Sequence, residues 1–330
     1  ITESLRNAFD RYTENYNAYP SVVIVEDTGF LILGGTYDRA RDIAEMYERN
    51  ELPDADDALK AGDSGKQNGF DRNRVVKNKI AVVTGAAQGF GENIARYLAG
   101  AGSLVFIADI NLEGAKDLAN GLNSEHSRTT ALPVKVDVSS EDSVADMVDE
   151  IVMQAGGIDL FISNAGVLRA ESVKEMTLDT FKFVTDVNYI GYFLCTKYAS
   201  PVMARQNEPA GSYFTDIIQI NSKSGLEGSN KNAAYAGGKF GGIGLTQSFA
   251  KELVEDNIKV NSICPGFVET PMTEDLLETE RFYNYVRDNT PMDRAAQPEE
   301  IAPLAVFLAS DAASYMTGAN VPIDGGWTAH

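Results

Sequence analysis

The sequence predicts an α/β fold: a doubly wound parallel sheet of seven strands, preceded by a small α+β N-terminal extension. Three observations lead there. From Lys77 onward, short apolar runs alternate with helical patterns. The first run feeds directly into a glycine-rich turn that opens a helix, and the second ends on an aspartate, Asp109. Strands that are apolar along both faces need helices above and below them, which is the arrangement of a parallel sheet.

The elements follow in order. Residues 2–17 read as a helix. Residues 21–26 and 30–33 read as strands around Asp27-Thr28-Gly29, a hairpin signal. Residues 37–49 form an amphipathic pattern with Ala40, Ile43, Met46 and Tyr47 on one side. Residues 53–73 are acidic, Gly-rich and poor in large apolar side chains, which marks a linker. The boundary therefore falls between an extension over 1–77 and a main domain over 78–330. In the main domain the expected strands lie at 80–83, 104–108, 132–136, 160–163, 217–220, 260–264 and 321–323. In such Rossmann-like sheets ligands bind at the carboxyl ends of the strands.

Composition narrows the chemistry. The chain has 330 residues, 44% hydrophobic, with 48 acidic against 28 basic side chains and a net charge of −20. That balance argues against nucleic acid and anionic membranes as partners. No apolar run reaches the ~18 residues of a spanning helix, and residues 1–11 lack a signal-peptide pattern; a cytoplasmic protein is expected. Cys195 and Cys264 sit in apolar segments and read as core residues. With only those two Cys and two His, His126 and His330, no metal site is expected and a Ser-His-Asp triad has little to draw on. Acid–base work falls to Tyr, Lys or carboxylates.

Two motifs carry that work. The first is Thr84-Gly85-Ala86-Ala87-Gln88-Gly89-Phe90-Gly91, set between a strand and a helix. Glycine allows a tight turn and close approach of a pyrophosphate, and the helix N-terminus offers free N–H groups. Outside this setting the cluster would read as an ordinary turn. Asp109, about twenty residues on, can accept hydrogen bonds from a ribose diol and would repel a 2′-phosphate. No Arg or Lys stands at Gln88 or Ile110, which favours NAD over NADP; the alternative is a plain strand-end carboxylate. The second motif is Ser222, Tyr235 and Lys239. Tyr and Lys four apart share a helix face, and an ammonium beside a phenol eases loss of its proton. A free Tyr titrates near pH ~10, so this pairing is expected to lower it.

Together with Asp137, Asn164-Ala165-Gly166, Asn188 and Pro265-Gly266, these residues resemble the NAD-dependent short-chain dehydrogenase/reductase family over roughly 78–330. The resemblance implies Tyr235 as general acid/base, Lys239 as its partner and ribose ligand, Ser222 on the substrate oxygen, and Asn188 in a proton relay. It implies cofactor contacts at Gly85, Gln88, Gly89, Phe90, Gly91, Asp109, Asp137, Val138, Asn164, Ala165, Gly166, Pro265, Gly266, Val268 and Thr270. Two departures are minor: Ser163 replaces the first Asn of the usual Asn-Asn-Ala-Gly, and Gly237-Gly238 precede Lys239. The segments 221–225 and 234–247 are similar to sorbitol-6-phosphate 2-dehydrogenases and to the dehydrogenase half of bifunctional aldolase/short-chain dehydrogenases. Residues 20–50 resemble the tail of a class II aldolase domain, but 1–77 contains no His for its metal. The extension is thus expected to be a structural or oligomer-contact module, the alternative being a substrate lid.

The implied reaction is hydride exchange between a secondary alcohol and a ketone, on a polyol or sugar phosphate. A 3-oxoacyl-type reductase and a non-catalytic NAD-binding protein are the alternatives. Gly237, Gly241 and Gly244 follow i, i+4, i+7 on the Tyr235 helix, a stripe expected to be buried in a homo-oligomer, tetramer or dimer, as the family implies. Otherwise it serves only the chain's own sheet. Residues 269–293 are expected to form a substrate lid, and Lys223, Lys231, Arg169 and Arg281 are candidate contacts for a phosphate or hydroxyl.

Overall fold

The computed structural model describes residues 22–25, 29–32, 37–38, 40–41, 76–208, 214–271, 273 and 278–329. The chain divides into two compact units, Ile1–Phe70 and Asp71–His330. In the first, β1 (Val22–Val25) pairs antiparallel with β2 (Gly29–Ile32), Val22 opposite Ile32 and Val25 opposite Gly29. This is the expected hairpin, with Gly29 opening the second strand. Tyr37, Asp38, Ala40 and Arg41 are helical. The helix expected at 2–17, most of that at 37–49 and all of the linker at 53–73 lie outside the described residues.

The second unit is a seven-stranded parallel sheet. Its strands are β3 (Ile80–Thr84), β4 (Leu104–Asp109), β5 (Ala131–Lys135), β6 (Leu160–Ser163), β7 (Thr215–Ile220), β8 (Ile258–Pro265) and β9 (Asn320–Ile323). Their order is β5-β4-β3-β6-β7-β8-β9. The chain winds outward from β3 to β5, then returns to lay β6 beside β3 and winds the other way. Between β3 and β6 the connections diverge to opposite sides, and that is where such a sheet opens a crevice.

Alternation along β3 shows why both faces are apolar. Ala81 and Val83 join the core under α1 (Gly89–Gly100), α2 (Leu112–His126) and the later helix at Ala302–Leu308. Val82 joins the opposite core with α3 (Glu141–Ala155) and the helices that follow β6. Those are α4 (Leu178–Thr185) and α5 (Gly191–Asn207), joined by a π-helical turn at Asp186–Ile190, and then α6 (Ala233–Glu252). The remaining helices are α7 (Glu280–Asn289) and α8 (Ala302–Leu308). The π turn has no propensity signature in the sequence. It inserts one residue into a continuous helical path and re-aims the side chains around it.

Helix α6 holds the expected glycine-rich stripe, and the structure divides it. Gly241 lies against the chain's own Tyr189, where a Cβ would come within 2.6 Å of the ring. Nothing stands within 4 Å of a Cβ placed on Gly237 or Gly244. Gly238 and Gly242 face inward, toward Asn188 and Gln219. The stripe is thus one close approach within the chain, at Gly241, and an open pair, Gly237 and Gly244.

Candidate active site

The glycine turn is shaped by three different demands. Gly85 and Gly89 adopt φ of +63° and +62°, the left-handed region that side chains disfavour. Gly91 lies inside α1, where a Cβ would collide with the Gly85 carbonyl oxygen and stand 2.6 Å from Asn164 Nδ2. Asn164 makes that packing specific: its Nδ2 donates to the carbonyls of Thr84 (2.8 Å) and Gly85 (3.0 Å). Thr84 Oγ1 answers by accepting from the backbone N–H groups of Asn164 and Ala165. The two strand ends flanking the crevice are therefore laced together by side chains.

Helix α1 begins at this turn without a side-chain cap from Gln88. Helices α2, α3 and α4 are capped by Asn111, Ser140 and Thr177. The uncapped N–H groups of α1, beside glycines that hold no side chain, fit a pyrophosphate. Asp109 lies at the end of β4 with both oxygens engaged, Oδ2 accepting from Ala87 N–H and Oδ1 from Asn111 N–H, each at 2.9 Å. A carboxylate oxygen accepts more than one hydrogen bond, so the same group remains able to take a hydroxyl pair.

A cleft of about 410 Å³ runs from this turn along the carboxyl ends of the strands. Of the residues expected at the cofactor, Gly85, Gln88, Gly89, Phe90, Asp109, Asp137, Val138, Asn164, Ala165, Gly166, Tyr235, Lys239 and Thr270 line it. Gly91, Pro265, Gly266 and Val268 do not. Gly91 packs behind the turn, and Val268 is buried in a bridge to Ala296. Gly266 admits the backbone of Asp324, whose Cα would stand 2.8 Å from a Cβ there. Sequence reasoning named Ile110 only for bringing no cation, and missed Val136, Ser139, Val167, Phe183, Val187, Ile220, Asn221 and Pro271 on the cleft wall. Most are apolar or neutral residues next to a recognised one, and such residues carry no chemical signal of their own.

The far end of the cleft holds Tyr235 and Lys239, the residues expected to do acid–base work. Tyr235 sits on the first turn of α6, close to Ser222, which follows β7. Burial pushes its phenol above the ordinary value, and Ser222 pulls it partly back. Lys239 Nζ donates to the Ile220 carbonyl at 2.8 Å and lies 5.5 Å from the centre of the Tyr235 ring. Burial pushes Lys239 down to about 8. The expectation that Lys239 lowers the phenol is thus not met in the protein alone. The ammonium gives one of its three donors to a backbone carbonyl, and Ser222 is the group that favours phenolate.

Asn188 occupies the π turn, 3% exposed, and does not reach the cleft. It clasps Val167 from both sides, Oδ1 accepting from its N–H (2.9 Å) and Nδ2 donating to its carbonyl (2.8 Å). A Cβ on Gly166 would stand 2.9 Å from Asn188 Oδ1 and 4.0 Å from Lys239 Nζ. Gly166 therefore lets helix, loop and lysine converge. Asn221 adds a residue the sequence did not single out. It accepts from Ser222 N–H at 2.8 Å and donates to the Lys239 carbonyl at 3.0 Å, tying the Ser222 turn to the Tyr235 helix.

Among the described residues no group of three His, Cys, Asp or Glu is placed to hold a metal, and no helix is long and apolar enough to cross a membrane.

A glycine-rich turn that fits a pyrophosphate and a buried Tyr235–Lys239 pair share one cleft, an arrangement suited to a nicotinamide-dependent oxidoreductase. The family model described as enoyl-(acyl carrier protein) reductase matches residues 85–328. The chain belongs to the short-chain dehydrogenase/reductase family. It is 39% identical over 258 residues to trans-4-hydroxycyclohexanecarboxylate dehydrogenase of Sinomonas cyclohexanicum, covering 77% of this chain and 94% of that protein. Against sorbitol-6-phosphate 2-dehydrogenase of Escherichia coli it is 35% identical over 262 residues, covering 76% and 98%. The solved structure of a gluconate 5-dehydrogenase from Burkholderia cenocepacia, in complex with NADP and tartrate, aligns with a TM-score of 0.74 at 28% identity. That alignment covers 78% of this chain and 98% of that one. The relatives share alcohol–ketone chemistry and differ in the alcohol.

Proposed function

We propose that this protein is an NAD-dependent dehydrogenase of secondary alcohols, acting on a polyol or sugar phosphate. The observation that carries the reading is Tyr235 beside buried Lys239 at one end of the cleft whose other end is Asp109, with Ser222 near enough to favour the phenolate. The glycine cradle and the uncapped start of α1 take the pyrophosphate. Asp109 takes the adenosine ribose, and Lys239 and Tyr235 the nicotinamide ribose. A bound nicotinamide supplies the hydride acceptor. Ser222 holds the substrate oxygen, and Tyr235 removes its proton as phenolate. Asn221 and Asn188 keep the Ser222 turn, the Val167 loop and the α6 helix in register around them.

The preference for NAD rests on Asp109 together with Ile110 and Gln88, which bring a carboxylate and no cation to the ribose end. The decisive experiment follows NAD⁺ and NADP⁺ reduction across polyols, polyol phosphates and simple secondary alcohols. We expect kcat/KM with NAD⁺ to exceed that with NADP⁺ by about tenfold or more, the worth of one charge repulsion of ~1.4 kcal/mol. A preference for NADP⁺ would overturn the cofactor assignment. Reduction of a 3-oxoacyl thioester faster than any polyol oxidation would replace the substrate class.

The chain is proposed to work in the cytoplasm as a homo-oligomer, a dimer or tetramer. Support for assembly comes from Phe181, Phe193 and Phe240 on α4, α5 and α6, each more than 40% exposed, beside the open positions at Gly237 and Gly244. Light scattering at micromolar concentration should return at least twice the monomer mass, and a monomer would refute it. Residues 1–77 are proposed to be a separate structural or oligomer-contact module.

A further inference from the structure

The residue after Ser222 is a buried lysine whose ammonium has aromatic rings for neighbours. Lys223 is 7% exposed. Its Nζ lies 4.0 Å from the ring centre of Trp327 and 5.0 Å from that of Phe267. The two rings touch edge to face, their centres 5.2 Å apart. They come from the loop after β8 and the turn after β9, so the ammonium sits at the carboxyl end of the sheet, on the side of Ser222.

Two faromatic faces attract a cation but accept none of its three hydrogen bonds in the way an oxygen does. Among the described residues no carboxylate forms an ion pair with Lys223, and no oxygen accepts a hydrogen bond from it. Glu227 and Asp324 are the carboxylates whose field reaches it. Asp324 is committed elsewhere, Oδ1 to Gly326 N–H and Oδ2 to the N–H and hydroxyl of Thr328. A purely structural contact with two rings would be made as well by Met, without desolvating a charge. Burial pushes the Lys223 ammonium below its ordinary range, and an anion beside it would restore the charged form.

We propose that Lys223 is a substrate-recognition residue, its ammonium held between Trp327 and Phe267 to bind a carboxylate or phosphate carried by the alcohol substrate. Lys223 directly follows Ser222 in the chain, and the proposal requires one small molecule to place its carbinol at Ser222 and its anion at Lys223. Neutral polyols then drop out of the proposed substrates, and hydroxy acids join the polyol and sugar phosphates. The substrate part of this proposal rests on the dehydrogenase reading, whereas the anion site does not.

Trp327 is the only tryptophan in the chain, which gives the site its own optical signal. Inorganic phosphate and acetate, titrated separately at constant ionic strength, should change its emission saturably in the native protein and in Lys223→Arg, but not in Lys223→Met. Lys223→Gln serves where the Met variant does not fold. Comparing the two anions separates a phosphate site from a carboxylate site. In turnover, Lys223→Met should raise KM for the anionic substrate by about tenfold or more, the scale of one charge-assisted hydrogen bond, and lower anionic-over-neutral selectivity in proportion. An emission response that survives in Lys223→Met, or unchanged selectivity, overturns the proposal. A lysine-dependent emission response in a protein that oxidises no secondary alcohol sustains the anion site and defeats the dehydrogenase reading instead.

Discussion

Tyr235→Phe is expected to lower kcat by roughly 10²–10⁴-fold, the range attributable to one positioned proton-transfer group, while NADH binding stays nearly intact. The phenol oxygen is the only atom removed, so the ring keeps its place on α6. Ser222 then loses the neighbouring hydroxyl but keeps its hydrogen bond from the N–H of Ser224, at 3.1 Å. Steady-state turnover with calorimetric NADH titration separates the two effects. The pH dependence supplies a second check. Burial holds the phenol protonated well above neutrality in the protein alone. Alcohol oxidation by the native enzyme should therefore rise with pH as phenolate forms, and the residual rate of the variant should lose that rise. A variant retaining native kcat would remove Tyr235 as the base.

Gly91→Ala is the second large effect. In an ordinary helix interior Ala is better than Gly by about 1 kcal/mol. Here the sign reverses. The new Cβ would collide with the Gly85 carbonyl oxygen, and would stand 2.6 Å from Asn164 Nδ2 and 2.7 Å from Ala86 Cα. Two of these neighbours are backbone of the cofactor turn, and the third is the amide lacing β3 to β6. We expect a loss of about 1–3 kcal/mol in stability, the usual range for overpacking, and a weaker NAD⁺ Kd because the cradle itself must shift. Thermal unfolding and dinucleotide titration read the two separately. Native stability in this variant would mean that the turn yields where the packing says it cannot.

Both predictions concern residues that the sequence had already marked, but for reasons of unequal reach. The glycines of the turn were legible because few other residues can adopt a φ near +63°. The seven strands were legible because apolar runs between helices have one stable arrangement. Their ends shifted by one or two residues: β8 extends from Ile258 to Pro265 where 260–264 was expected. Asn188 was identified by resemblance, yet its place in a π turn came from packing that no local propensity encodes. The glycine stripe of α6 illustrates the limit from the other side. Its spacing was clear, but which glycines meet their own chain depends on where Tyr189 and Gln219 arrive from elsewhere.

By itself the sequence determined the doubly wound sheet, the glycine-rich turn and the Ser222, Tyr235 and Lys239 set. Each depends on residue type at short spacing, and backbone sterics and hydrogen-bonding chemistry act at that range. Tertiary structure alone decided that Lys239 donates to Ile220, that Ser222 steadies the phenol, that Asn221 joins the two, and that Lys223 lies between Trp327 and Phe267. Those contacts join residues from separate strands and helices. The direction of an ammonium or a phenol is set by what surrounds it after folding, not by its neighbours in the chain.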